Sequence, residues 1–276
     1  MNFYKYHGLG NDFIIIDNRD NNINLIKDDI IALCHRNYGI GADGIILVEN
    51  SKEQDIKMTI YNADGSQAEM CGNATRCFAK YVYEKDIVKK TKINIETLAG
   101  VIIPELEIKN GKVINVKVDM GKPIFEAKDI PCNINKKTAI NASIEIDSNI
   151  YVITAVSIGV PHVVIFRDTL IDEEVIKEGK IIENSHYFPM KTNVNFAKIF
   201  GRNEIAVRTW ERGAGYTLAC GTGSCASVAA GIINGLLDST VLVHTRGGDL
   251  TVHWDGKNNI FMEGTATEVF SGKIDI

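Results

Sequence analysis

Two cysteines carry the first candidate chemistry in this sequence. Cys71 and Cys220 each stand directly before a glycine and a stretch that is typical of a helix. The free N–H groups of a helix start carry about half a positive charge, which lowers the pKa of a cysteine placed there. The following glycine lets a ligand approach the backbone closely. The candidate donors to a carboxylate or phosphate are the N–H groups of Gly72, Asn73, Gly221 and Thr222.

Two such thiols suit the inversion of a carbon centre next to a carboxylate. One cysteine, as thiolate, removes the α-proton from one face, and the other, as thiol, delivers a proton to the opposite face. Because this α-proton is only weakly acidic, aimed N–H groups must stabilise the carbanion. The reaction needs no cofactor. No Cys-x-x-Cys pair occurs in the sequence, so we expect no metal site.

The other cysteines have simpler interpretations, because a buried thiol behaves as a small apolar side chain. Cys77 and Cys225 lie on predicted helix faces, and Cys34 and Cys132 have no matching context. A different function stays open: a non-catalytic thiol sensor in which Cys71 and Cys220 form a reversible disulfide. A racemase would incorporate deuterium at Cα of its substrate in heavy water, and a sensor would not.

Composition limits the partners. The chain has 276 residues, 45% of them hydrophobic and 24% charged, with a net charge of -5. This is enough for two domains, and it favours no nucleic-acid partner. The apolar runs are as short as strands, so we expect no membrane partner and a cytoplasmic protein with reduced thiols.

The elements that must position the cysteines are mostly strands. Apolar runs and alternation predict an α+β fold with a strand majority. Helices are expected at Lys27–His35, Asn73–Lys85, Leu170–Ser185 and Gly223–Leu237.

An internal repeat surrounds the two cysteines. Asn62 lies nine residues before Cys71, and Glu211 lies nine residues before Cys220; in both cases an aromatic residue precedes the polar one and a glycine turn follows. Such a repeat favours two similar domains. We expect their boundary near 119–123.

These motifs, with several others spread over the whole chain, resemble the diaminopimelate epimerase family of pyridoxal-independent amino-acid racemases. The shared segments are His7–Phe13, Gly39–Gly44, Asn62–Ser66, Cys71–Cys77, Pro161–His162, Thr192–Phe196 and Glu211–Ala226.

The resemblance implies two domains related by a pseudo-twofold axis, each a sheet or barrel wrapped round a central helix. The expected N-terminal domain is 1–118 with 266–276, the C-terminal domain is 119–265, and the active site lies in the cleft between them. A homodimer and a small amino-acid substrate are also implied.

The resemblance also assigns roles to individual residues. Cys71 and Cys220 become the acid–base pair, and His162 and Glu211 tune their pKa values. Residues 72, 73, 221 and 222 bind the substrate carboxylate. Further substrate contacts are implied for Asn11, Asn62, Asn193, Glu211 and Arg212. A purely structural histidine and a solvated Glu211–Arg212 pair stay open as alternatives.

Three positions depart from the usual pattern of the family and define its expected specificity. Val160 replaces an asparagine that helps to hold the far end of diaminopimelate, Tyr216 replaces a glutamate, and Gly44 stands where some members have glutamine. Loss of a hydrogen bond to a charged group costs about 1–3 kcal/mol. We therefore expect a racemase for histidine or another amino acid with one stereocentre. The alternative, favoured by Arg212 and Asn193, is a true diaminopimelate epimerase that converts the LL to the meso isomer in the lysine and peptidoglycan precursor pathway.

Overall fold

The computed structural model describes residues 1–275. The last residue of the expected segment 266–276, Ile276, lies outside the described residues. The chain divides into two compact units: a first unit of Met1–Asp119 with Glu263–Ile276, and a second unit of Met120–Met262. Within residues 1–275, no helix has the length and apolar character needed to cross a membrane.

Strands make up most of both units. In chain order the elements are β1 (Asn2–Gly8), β2 (Asn11–Asp17), α1 (Lys27–Cys34), β3 (Gly44–Glu49), β4 (Ile56–Asn62), β5 (Gln67–Ala68), α2 (Gly72–Glu84), β6 (Ile95–Thr97), β7 (Gly100–Ile102), β8 (Glu105–Lys109), β9 (Lys112–Asp119), β10 (Ala142–Ile146), β11 (Asn149–Ser157), β12 (Pro161–Phe166), α3 (Asp172–Glu183), β13 (Asn193–Gly201), β14 (Glu204–Glu211), β15 (Gly215–Tyr216), α4 (Gly221–Ile233), β16 (Thr240–His244), β17 (Asp249–His253), β18 (Phe261–Gly264) and β19 (Thr267–Lys273).

The two units repeat one strand order. The first has the order β19-β1-β2-β3-β4-β6-β7, and the second has β10-β11-β12-β13-β14-β16-β17. In both, the third pair of neighbouring strands is parallel and is connected by a helix: α1 between β2 and β3, and α3 between β12 and β13. The prediction of an α+β fold with two similar domains is confirmed.

The repeat extends to the hairpin that precedes each cysteine. Tyr61 pairs with Gln67 across β4 and β5, and Trp210 pairs with Tyr216 across β14 and β15. Each hairpin leads directly into the helix that follows its cysteine. The hairpins therefore fix where the two helix starts lie within their own sheets.

Helices α2 and α4 are the central helices of their units. Most of their residues are buried, α2 against β1, β2, β3 and β9, and α4 against β11 to β14 and β17. The small residues of α4 allow strands to approach it from several sides. It begins at Gly221, two residues earlier than expected, because Cys220 is its N-cap. It ends at Ile233, since Gly235 has a φ of 72° and the N–H of Leu237 turns back to the carbonyl of Gly231.

Candidate active site

Both repeat cysteines are N-cap residues. Cys71 has φ -147° and ψ 118° before α2, and Cys220 has φ -119° and ψ 111° before α4. This extended backbone lets the chain enter the helix while the first-turn N–H groups stay outside the helical ladder. Gly72 and Gly221 are the first helical residues. Each unit thus presents a thiol beside the N-terminal end of a buried helix.

The first turns of these helices differ from those of α1 and α3. Helix α1 carries Asp28 and Asp29 in its first turn, and α3 carries three acidic residues there. Acidic side chains at this position offset the partial positive charge of a helix start. Helices α2 and α4 have no acidic residue in the first turn. The partial positive charge of these two helix starts is therefore not offset by an acidic side chain of the first turn.

The Cys71 thiol lies beside two oriented amides. Its Sγ is 3.8 Å from Oδ1 of Asn11, which also accepts a hydrogen bond from Nδ2 of Asn73 at 3.1 Å. Nδ2 of Asn11 donates to Asp43 at 2.8 Å, and Arg76 donates to Oδ1 of Asn73 at 2.8 Å. Because carboxylates only accept and guanidinium groups only donate, both amide orientations are fixed. The oxygen of Asn11 therefore faces the sulfur.

The environment of Cys220 is more enclosed. Sγ accepts a hydrogen bond from the N–H of Gly223 at 3.3 Å and lies 3.4 Å from Oγ1 of Thr222. Burial raises the pKa of Cys220 well above its usual value, and the negative charge of Glu211 adds to this. The hydrogen bonds from Thr222 and Gly223 oppose the shift without cancelling it.

The expectation of a lowered pKa is therefore wrong for Cys220. Desolvation and a carboxylate outweigh the helix end. Glu211 is itself held by Thr217, whose hydroxyl donates to Oε1 at 2.5 Å. The carboxylate is thus fixed where it acts on the Cys220 thiol.

His162 is fully buried in the second unit. Its Nδ1 lies 3.1 Å from Nδ2 of Asn195, and Thr209 donates to Oδ1 of Asn195 at 3.0 Å. Burial lowers the pKa of His162 to about 3, and the charge of Arg212 contributes in the same direction. The imidazole is therefore neutral at physiological pH.

Asn193 and Arg212 contact each other in the second unit. Oδ1 of Asn193 accepts from the backbone N–H of Arg212 at 2.9 Å, while Nδ2 donates to the carbonyl of Pro161 at 2.9 Å. The guanidinium of Arg212 is exposed and donates to the carbonyl of Met190 at 3.0 Å. The turn after β14 is thus tied to the start of β13.

Asn62 and Gly44 face each other across β3 and β4. Nδ2 of Asn62 donates to Oγ of Ser66 at 2.9 Å, inside its own turn. A Cβ atom added at Gly44 would lie 2.4 Å from the carbonyl oxygen of Tyr61. Glycine at position 44 therefore has a packing reason in this chain.

Val160 and Tyr216, the two other positions that depart from the family pattern, lie in different local surroundings. Val160 follows Gly159, whose φ is 77°, in the turn before β12. The hydroxyl of Tyr216 donates to Asp172 at 2.6 Å. Because Tyr216 pairs with Trp210, its side chain lies on the face of the hairpin opposite Glu211.

The remaining four cysteines are buried. Cys77 and Cys225 are fully buried, and burial raises the pKa of Cys77 to about 12. Burial likewise raises the pKa of Cys34 and of Cys132 to about 11. None of the six cysteines, all within residues 1–275, forms a disulfide bond. In the described part of the chain, no group of three or more His, Cys, Asp or Glu side chains could hold a metal ion.

Sequence reasoning missed four supporting residues: Asp43, Arg76, Asn195 and Thr217. All four lie within the segments that resemble the family, and Asn195 also lies two positions after Asn193 on one strand and so shares its face.

Comparison with known proteins now identifies the family. A sequence profile described as diaminopimelate epimerase matches residues 3–126 and 154–269. The diaminopimelate epimerase of Caldanaerobacter subterraneus is 50% identical and covers 100% of both chains. That of Pelotomaculum thermopropionicum is 46% identical over 99% of this chain and 98% of its own, and that of Methanococcus maripaludis is 44% identical over 100% of both. The chain belongs to the diaminopimelate epimerase family. It is an isomerase of the racemase and epimerase class.

Solved structures support the fold of this family. A PhzF-family phenazine biosynthesis protein from Bacillus anthracis superimposes with a TM-score of 0.71 at 16% identity, covering 100% of this chain and 99% of that one. A hydroxyproline epimerase from Agrobacterium vitis gives 0.70 at 15% identity, covering 99% and 91%. At such identities the likeness concerns the fold alone.

The expectation of a racemase for histidine or another single-centre amino acid is wrong. Relatives that are 44–50% identical over the full chain are diaminopimelate epimerases. One missing hydrogen bond costs about 1–3 kcal/mol, so Val160 by itself does not exclude diaminopimelate as the substrate.

Proposed function

We propose that the protein is a diaminopimelate epimerase that interconverts the LL and meso isomers by a cofactor-independent two-base mechanism. The observation that carries the proposal is the pair of N-capping cysteines, each at a buried helix start without acidic residues. The names of the full-length relatives supply the substrate.

In the proposed reaction, the first-turn N–H groups bind the carboxylate at the reacting centre. Cys71 and Cys220 act on opposite faces of the same α-carbon. Because its pKa is raised, Cys220 holds its proton at neutral pH and is the acid when Cys71 removes the α-proton. The reverse direction exchanges the two roles. The distal amino and carboxyl groups are assigned to Asn193 and Arg212, beside Val160.

The test is incubation of LL- and meso-diaminopimelate in heavy water with the wild type and four variants. Cys71→Ala and Cys220→Ala should each abolish inversion, because one face then lacks its acid or base. The matched controls Cys77→Ala and Cys225→Ala should keep at least about a tenth of the activity, since these thiols only fill the core. Chiral chromatography and mass spectrometry measure inversion and deuterium at Cα.

Full turnover by either catalytic variant would exclude the two-base mechanism. Turnover of histidine but not of diaminopimelate by the wild type would exclude the substrate. A wild type that incorporates no deuterium would leave a thiol sensor as the function.

A homodimer and a cytoplasmic location stay predictions. Strand β19 forms an edge of the first sheet, and its Val269 and Phe270 are about half exposed. The proposed thiol chemistry needs reduced cysteines, which the cytoplasm maintains. Sedimentation measures the oligomeric state.

A further inference from the structure

A series of hydrogen-bonded, buried polar groups in the second unit ends at His162. Nδ2 of Asn195 lies 3.1 Å from the carbonyl oxygen of Val163 and 3.1 Å from Nδ1 of His162. Oγ1 of Thr209 lies 3.0 Å from Oδ1 of Asn195. His162 and Asn195 are both 0% exposed, so bulk water cannot take the place of these contacts.

The Val163 carbonyl decides how the Asn195 amide is oriented. A carbonyl oxygen only accepts, so the amide atom that faces it is the NH₂ group. The same NH₂ group also faces Nδ1 of His162, and it can only donate a hydrogen bond. Nδ1 must therefore accept, and the single hydrogen of a neutral imidazole sits on Nε2.

Asn195 also packs against the helix turn that contacts the thiol of Cys220. A Cβ added at Gly223 would lie 2.3 Å from Oδ1 of Asn195, so the amide packs directly against the first turn of α4. In that turn the N–H of Gly223 donates to Sγ of Cys220. Nε2 of His162 is fully buried and has no hydrogen-bond partner within residues 1–275.

We infer that Asn195 is a positioning residue that holds His162 in its neutral Nε2–H form. His162 then serves the reaction as a hydrogen-bond donor and not as a base. A buried donor without a partner costs folding free energy, which an acceptor from the bound substrate would offset. The charge state of His162 agrees with this neutral form, because burial lowers its pKa and keeps the imidazole uncharged at neutral pH. The catalytic consequence rests on the proposed function, whereas the tautomer does not.

The first test is a long-range ¹H–¹⁵N NMR spectrum of the wild type labelled with ¹⁵N-histidine, with His162→Gln to assign the signal. We expect an unprotonated Nδ1 and a protonated Nε2 for His162 from pH 5 to 8. A hydrogen on Nδ1, or titration within this range, would overturn the inference. Because the tautomer is read from the wild type, this test does not depend on the folding of Asn195→Asp.

The second test is Asn195→Asp, which replaces the NH₂ donor with an acceptor. Nδ1 of His162 should then gain a hydrogen, and kcat should fall at least about tenfold with a smaller change in KM. The control Asn234→Asp makes the same chemical change in an amide that binds Thr154 and the carbonyl of Ala230. It should leave the His162 signal unchanged.

An unchanged tautomer in folded Asn195→Asp would refute the positioning role. If the wild type showed the expected tautomer but no turnover of diaminopimelate, the proposed function would fail and the role of Asn195 in setting the tautomer would stand.

Discussion

Gly223 is the position where a single methyl group should disturb both the stability and the site. It is the third residue of α4, and its N–H donates to Sγ of Cys220. In Gly223→Ala, the new Cβ would lie 2.3 Å from Oδ1 of Asn195, 3.1 Å from Oγ1 of Thr209 and 3.2 Å from Cβ of Cys220. The first distance is below the 3.0 Å that real Cβ atoms keep, so a neighbouring group must move.

The cost follows from the group that must move. Asn195 is fully buried and takes part in three hydrogen bonds, to Val163, His162 and Thr209. Overpacking costs about 1–3 kcal/mol, and each weakened neutral hydrogen bond costs about 1 kcal/mol. The helix propensity of alanine returns at most about 1 kcal/mol. The free energy of unfolding should therefore fall by about 2–3 kcal/mol.

Calorimetry measures this loss. For a chain of this size, 1 kcal/mol corresponds to about 2–4 °C in Tm, so Tm should fall by about 4–12 °C. The control is Gly201→Ala, where the nearest atom to an added Cβ is a side-chain oxygen of Asn203 at 3.7 Å. Its free energy of unfolding should stay within about 0.5 kcal/mol of the wild type.

Activity on diaminopimelate provides a separate measurement. Well below the Tm, Gly223→Ala should lower kcat about tenfold, because displacement of the first turn weakens the hydrogen bond to Cys220. If the Tm of Gly223→Ala equalled the Tm of the wild type and of Gly201→Ala, the rigid packing of Asn195 against α4 would be refuted.

Two further predictions concern charges in the second unit. Glu211→Gln removes a negative charge that raises the pKa of Cys220, so iodoacetamide should alkylate Cys220 faster at pH 8. Glu204→Gln, on the same strand, is the control, and equal rates for both variants would contradict the role of Glu211. His162 stays neutral in the folded protein down to a pKa of about 3 but takes up a proton near pH 6.5 when unfolded. Stability should therefore be lost as pH falls from about 6.5 towards 3, by up to about 1.4 kcal/mol per pH unit. Urea unfolding of His162→Gln should show a smaller loss, and an unchanged pH dependence would argue against a buried neutral His162.

The sequence was sufficient for features set by neighbouring residues. A cysteine–glycine pair before a helical stretch is a local signal, and both cysteines are N-caps. The repeat around them was readable because aromatic, polar and glycine positions recur at one spacing. The periodicity predicted four helices, and their observed ends differ from the predicted ends by only a few residues.

Substrate choice could not be read from single positions. Val160 suggested a changed pocket, yet full-length relatives overturn that interpretation. Strand β1 also escaped the pattern, because Lys5 interrupts its apolar positions. In the fold Lys5 is buried and pairs with Asp12 at 2.6 Å, a partner that a sequence pattern does not show.

Tertiary structure alone decided the state of the reactive groups. The pKa of Cys220 depends on burial and on Glu211, which reaches it through a hairpin. The tautomer of His162 depends on Asn195, which lies 33 residues away along the chain. Protonation responds to solvent exclusion and to charges a few ångströms away in space, and folding determines both. The sequence thus determined which residues stand at the helix starts, and the packed fold decided which of them hold a proton.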